Sequence, residues 1–197
     1  FHRTTKEEEL KEMLPKLTCA LEASIETVQW TSTFKFPEFD QDYEFVSLSH
    51  PDEYPITEGN LISNKGLNIK VEEFEQHFTE EHVEHANALH CIHNGFGSYY
   101  VGPLARYNLN FEKLTTKAKK AAKQAGLGSK CFNPFKSIIV RSVELVYACE
   151  ESIRIIESYK RPEEPFLKLE PRAGKGSGCS EAPRGILYHR YNLAQDG

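Results

Sequence analysis

Chemistry-bearing residue types concentrate in residues 176–191. Glycine-rich chain runs there into Glu181, Ala182, Pro183, Arg184 and Gly185, and large apolar and aromatic residues follow from Ile186 to Tyr191. Gly176 and Gly178 permit close approach of the backbone to a ligand or to another backbone. Pro183 fixes its own φ and drives Ala182 towards an extended conformation. Arg184 is then presented from a stiff segment, with Gly185 as a tight exit. A guanidinium held this way suits a site that must place positive charge accurately. The plainer alternative is a surface loop entering a strand, with Arg184 solvated or paired with Glu181.

Three other groups of residues invite chemical readings. His77, His82, His85, His90 and His93 crowd one segment, with Cys91 among them. His82 and His85 could share a helix face. No spacing matches a zinc signature, and a segment mixing helix and strand scatters the ring directions. Hydrogen-bonded histidines along one strand and its turn are the expectation. Cys19, Cys91, Cys131, Cys149 and Cys179 are odd in number, scattered, and contain no Cys-x-x-Cys pair. They predict reduced thiols rather than a disulfide framework or a zinc site. Residues 174–178 alternate glycine with Lys175 and Ser177 but lack the order of a phosphate loop and a buried strand before it, which excludes a nucleotide site there.

A second stretch pairs with the first. Tyr100, Val101, Gly102, Pro103, Leu104, Ala105 and Arg106 are followed by Asn108 and Asn110. Alone, Arg106 reads as a structural arginine holding carbonyls at a helix end. Together, in order and spacing, the two stretches resemble motifs of nickel–iron hydrogenase large subunits, specifically the cytosolic, multi-subunit, cofactor-coupled branch. The likeness runs through most of the chain, but only these two stretches are specific.

The resemblance implies reversible splitting of dihydrogen into protons and electrons at a nickel–iron centre whose iron carries diatomic ligands. In the family, two Cys-x-x-Cys pairs hold the metals, and this sequence has neither. Residues 1–197 are therefore expected to form a single domain, the central fragment of a large subunit. Phe1 would follow the first pair and Gly197 precede the second, and the absence of Met at the start suggests a trimmed chain. Such a fragment would carry one wall of the site, with no cofactor of its own, and would be inactive alone. The family's pattern makes Arg184 the charge-stabilising catalytic residue. Glu181 becomes the anchor of the loop and a weaker candidate for a base. Ala182 and Pro183 would contact the diatomic ligands, with Gly185 completing the active-site loop. Arg106, Gly102 and Pro103 would support it. Implied partners are electron-transfer subunits and a small iron–sulfur subunit, in the cytoplasm. Two alternatives stand beside this: the related quinone-reducing subunit of a complex I-like enzyme, and a non-enzymatic interaction module. The Ala-Pro-Arg loop favours the hydrogenase.

The elements that must position these residues follow from pattern. The chain has 197 residues, 39% hydrophobic and 27% charged, with net charge −5 and a pI of about 5.9. That suits a globular domain with a real core and argues against a nucleic-acid partner. No apolar run reaches membrane-spanning length. Residues 4–33 predict one long helix capped by Thr5, with Pro15 able to kink or split it. A strand is expected over 43–49, a hairpin over 59–69 and a short acidic helix over 71–78. Residues 88–110 predict two strands joined at 94–97. Helices are expected over 111–125 and from Asn133, as cap, to Tyr159. The fold class is α+β, with long packed helices and small antiparallel sheet elements outside them. A chain built this way, without its neighbours, is expected to expose apolar surface and to self-associate.

Overall fold

The computed structural model describes residues 3–196, so the expectations attached to Phe1 and Gly197 lie outside the described residues. Two long helices form its spine. The first expected helix is divided into α1 (Glu7–Lys11) and α2 (Leu14–Ser32). Pro15 stands in the first turn of α2. It has no N–H to return to the carbonyl four residues earlier, so one helix ends and another starts. Thr5 is not the cap. Lys6 is, and its N–H donates to Glu9 Oε2 at 3.1 Å.

The second long helix, which we label α6 (Ser137–Ser158) in chain order, packs along α2. Leu21 and Val28 of α2 are buried in one cluster with Ile139, Val140, Val143 and Val146 of α6. Two polar contacts cross this seam. Thr31 Oγ1 donates to Ser142 Oγ at 3.4 Å, and Ser24 Oγ lies 3.6 Å from Cys149 Sγ. Asn133 caps the turn leading into α6 as predicted, accepting the Phe135 N–H at 3.0 Å.

Small antiparallel elements lie outside the spine. β1 (Val46–Ser49), β2 (Asn60–Ser63) and β3 (Asn68–Ile69) form one sheet in that order. α3 (Phe74–His77) leads into β4 (Phe78–Glu81), which pairs with β5 (His90–His93). The two strands expected over 88–110 are corrected here. Past an isolated bridge between Tyr100 and Phe45, the chain turns into α4 (Pro103–Asn110). Gly102, at φ +85°, breaks the extended path, and Pro103 begins the helix, where its missing N–H costs nothing. Asn108 faces inward, exchanging hydrogen bonds with the backbone of Cys131 at 2.7 and 2.9 Å. Asn110 donates to Leu48 O at 3.0 Å. The helix expected over 111–125 is shortened to α5 (Thr116–Gln124), capped by Thr115, which accepts the Ala118 N–H.

The last elements are β6 (Gly174–Ala182) and β7 (Gly185–Leu193), which pair along their whole length. The glycine-rich stretch expected as a loop is therefore a strand. A second buried cluster, with Val46, Leu48, Leu61, Phe74 and Phe78, receives Cys179 of β6 and the half-buried Ile186 and Tyr188 of β7. Among the described residues no helix is long and apolar enough to cross a membrane.

Candidate functional site

Arg106 organises the site. It lies in α4 and is 3% exposed. Its Nε donates to Glu144 Oε1 and its Nη2 to Glu144 Oε2, both at 2.7 Å. Nη1 donates to Glu181 Oε2 and to the carbonyl of Ala182, both at 2.8 Å. Nη2 also reaches the carbonyl of Pro183 at 3.4 Å. A guanidinium has five N–H donors, and each has an acceptor here. Burial opposes the Arg106 charge, but the two carboxylates outweigh it and hold the group protonated.

The two carboxylates are themselves engaged. Glu181 Oε1 accepts the Leu48 N–H at 2.9 Å, and the side chain has no exposure. Burial pushes the Glu181 carboxyl up, against the pull of Arg106 and the Leu48 amide. Tyr54 Oη donates to Glu144 Oε1 at 2.7 Å. Burial, then the charge of Glu144, raises the Tyr54 phenol far above its usual range, so it stays a neutral donor.

The turn between β6 and β7 consists of Pro183 and Arg184, and it rests on the Val101–Gly102 segment. A Cβ built on Gly102 would meet Arg184 O at 2.5 Å, and one on Gly185 would meet Val101 Cγ2 at 2.5 Å. The close-approach glycines are thus Gly102 and Gly185. Gly176 and Gly178, expected in that role, have open space around them. Gly102→Ala should cost about 1–3 kcal/mol, because it joins a positive φ to a clash with backbone. A denaturation midpoint within error of the parent chain would contradict this contact.

The predicted residues are thereby brought together from two distant stretches. Glu181, Ala182, Pro183 and Gly185 meet Gly102, Pro103 and Arg106. Arg184 is the exception to the expected fixed cation. It is exposed at the tip and makes no ion pair among the described residues, since Glu181 pairs with Arg106 instead. Ala182 and Pro183 line an open cleft of about 760 Å³, bounded by α2 and α6 and by Tyr54 and Ile56. Glu144 and Tyr54 were missed at the sequence level. Glu144 is one of several glutamates of α6, and nothing in the local sequence marks it.

The histidines do not gather into a site. His82 and His85 lie between strands, so they share no helix face. His93 is buried, with Nδ1 2.9 Å from Glu44 Oε1, between the rings of Phe78 and Phe96. Among the described residues, no three His, Cys, Asp or Glu side chains converge as metal donors. The thiols are graded by burial. The Cys179 thiol is pushed up to about 12, first by burial and then by Glu181, whereas Cys19 is exposed. At pH 7–8 a maleimide should label Cys19 quickly and Cys179 only on unfolding, because the thiolate is the reactive form. Equal labelling of both, read by mass spectrometry, would mean that β6 is not docked.

No family model matches the chain. Curated relatives do. The alpha subunit of sulfhydrogenase 1 from Pyrococcus furiosus is 30% identical over 140 residues, covering 70% of this chain and 32% of the relative. A vhu subunit of the F420-non-reducing hydrogenase from Methanococcus voltae is 30% identical over 141 residues, covering 66% of this chain and 33% of the relative. The chain spans about a third of the length of these relatives. Among solved structures, an NAD+-reducing [NiFe]-hydrogenase in the H2-reduced state superposes with a TM-score of 0.68 at 16% identity, covering 98% of this chain and 48% of that one. That superposition bears out the α+β fold. The relatives named here are hydrogenase subunits, and this chain is similar to them over 70% and 66% of its own length.

Proposed function

We propose that residues 1–197 act as one domain within a longer catalytic subunit that oxidises dihydrogen reversibly to protons and electrons. The turn at Ala182, Pro183 and Arg184 forms one wall of the active site. The observation that carries this reading is the clamp of Arg106 on the Ala182 and Pro183 carbonyls, which makes a two-residue turn rigid. A turn held from below by a buried guanidinium can present the Arg184 cation in a defined place. Splitting dihydrogen separates a hydride from a proton, and a preorganised cation near developing charge is worth far more in a dry cavity than in water.

This chain's own donors do not fit a nickel–iron centre. The resemblance implies four cysteine ligands, and the five thiols here are scattered over α2, β5, the segment before α6, α6 and β6. The centre, in our reading, takes its ligands from other parts of the longer subunit, and this chain contributes shape and charge. Arg106, Gly102 and Pro103 support the wall. Glu181 anchors it: both oxygens are already engaged by Leu48 and Arg106, which suits an anchor better than a base.

Electron-transfer subunits and an iron–sulfur subunit are the proposed partners, in a cytoplasmic complex. Trp30 at 63% and Leu145 at 51% exposure beside the cleft suit burial in such an assembly, or self-association of the isolated chain. The decisive experiment measures hydrogen oxidation and nickel content together on assembled enzyme carrying Arg184→Lys. Unchanged turnover at full nickel content would remove Arg184 from the reaction.

A further inference from the structure

We propose that Glu144 is a positioning residue for the active-site turn, acting through Arg106. Among the described residues, Glu144 forms no hydrogen bond or ion pair with Arg184; its partners are Arg106 and Tyr54. It takes Nε and Nη2 of Arg106 in a two-point fork at 2.7 Å each. A forked carboxylate fixes both the position and the plane of a guanidinium. Once that plane is set, the remaining N–H groups point at Glu181 Oε2, Ala182 O and Pro183 O. Glu181 does not set the plane, because one of its oxygens is committed to the Leu48 amide. Tyr54 in turn fixes Glu144, donating to the oxygen that also receives Nε. Glu144 is carried by α6, the helix seated against α2, so the direction of the turn is referenced to the spine of the fold. The importance of that direction for turnover rests on the function proposed above. The positioning itself does not.

Assembled enzyme carrying Glu144→Gln provides the test. Glutamine keeps the volume but removes the charge, and its amide N–H₂ faces a donor of Arg106. Hydrogen exchange of the backbone N–H groups of residues 181, 182 and 184–186 should quicken by about 10-fold or more, as for loss of a buried charged hydrogen bond. Exchange in α2 should not change. Turnover should fall with nickel content intact, and the loss should be non-additive with Arg184→Lys, since both act at one turn. Tip exchange at the parent rate, or acceleration shared equally by α2, would overturn the proposal. If Glu144→Gln does not fold, Tyr54→Phe removes only the hydroxyl that fixes Glu144. It should still quicken exchange at the same backbone N–H groups, and no change there would overturn the proposal equally. Quickened exchange with full activity in Arg184→Lys would sustain the positioning and count against Arg184's part in the reaction.

Discussion

Replacing Arg106 with methionine is expected to lower folding stability by about 3–5 kcal/mol. Methionine fills much of the same volume, so the loss is electrostatic rather than a cavity effect. It leaves Glu181, without exposure, and the partly buried Glu144, 16% exposed, as carboxylates with no cation between them. It also removes the N–H groups donated to the carbonyls of Ala182 and Pro183. A loss of that size is a large part of the 5–15 kcal/mol that typical domains have. The sign of the pH dependence is fixed by the same charges. The carboxyl pKa of Glu181 is already raised by burial, and without Arg106 it rises further. The penalty therefore exists above the raised folded pKa and shrinks as pH falls through it, because protonation discharges the site. Urea denaturation of parent and variant across pH measures both. A loss below about 1 kcal/mol, the range of exposed ion pairs, or one that grows on acidification, would refute this account.

The second large effect is on rate. Arg184→Lys in the assembled enzyme should reduce hydrogen oxidation by about 100- to 1000-fold, the usual loss when one preorganised charge-stabilising group is removed. Lysine retains the charge but replaces a planar fork with a flexible, more strongly hydrated ammonium. Stability should hardly change, because Arg184 is exposed and has no ion pair among the described residues. Nickel content should also stay at the parent level, since the substitution touches no candidate ligand. Rate, nickel and stability thus separate three cases. A reacting cation loses rate alone, a structural arginine loses all three together, and a solvated one loses nothing.

Local pattern carried the sequence reading furthest where one residue decides one conformation. Asn133 and Pro134 announce the start of the longest helix, and the hairpin over 59–69 follows from its turn at 64–66. It failed where a neighbour far along the chain decides. Residues 174–182 look like a glycine-rich loop until β7 pairs with them, and a partner strand satisfies backbone groups whatever the side chains are. Residues 103–110 follow an extended run, and only the break at Gly102 turns them into a helix. At the site, the motif residues were legible as types, but their pairings were not. Glu181 could have paired with Arg184, three residues away. The fold gives it to Arg106, 75 residues away, because the turn carries Arg184 outward while the strand carries Glu181 inward. Glu144 looked like one more acidic residue on a helix, since nothing local distinguishes a carboxylate that will be forked by a guanidinium.

The clamp on the turn also has a consequence for the order in which the molecule assembles. Glu181 bonds across 133 residues to Leu48 and across 75 to Arg106, while Arg106 bonds across 38 to Glu144. Closing such loops costs chain entropy before any contact repays it, so non-local contacts of this kind form late and slowly. The turn acquires its shape only once the β1 sheet, α4 and α6 have docked. A protein with an unfinished core therefore cannot display a finished turn, and any maturation step that reads the shape of this turn would at the same time be inspecting the core for completeness.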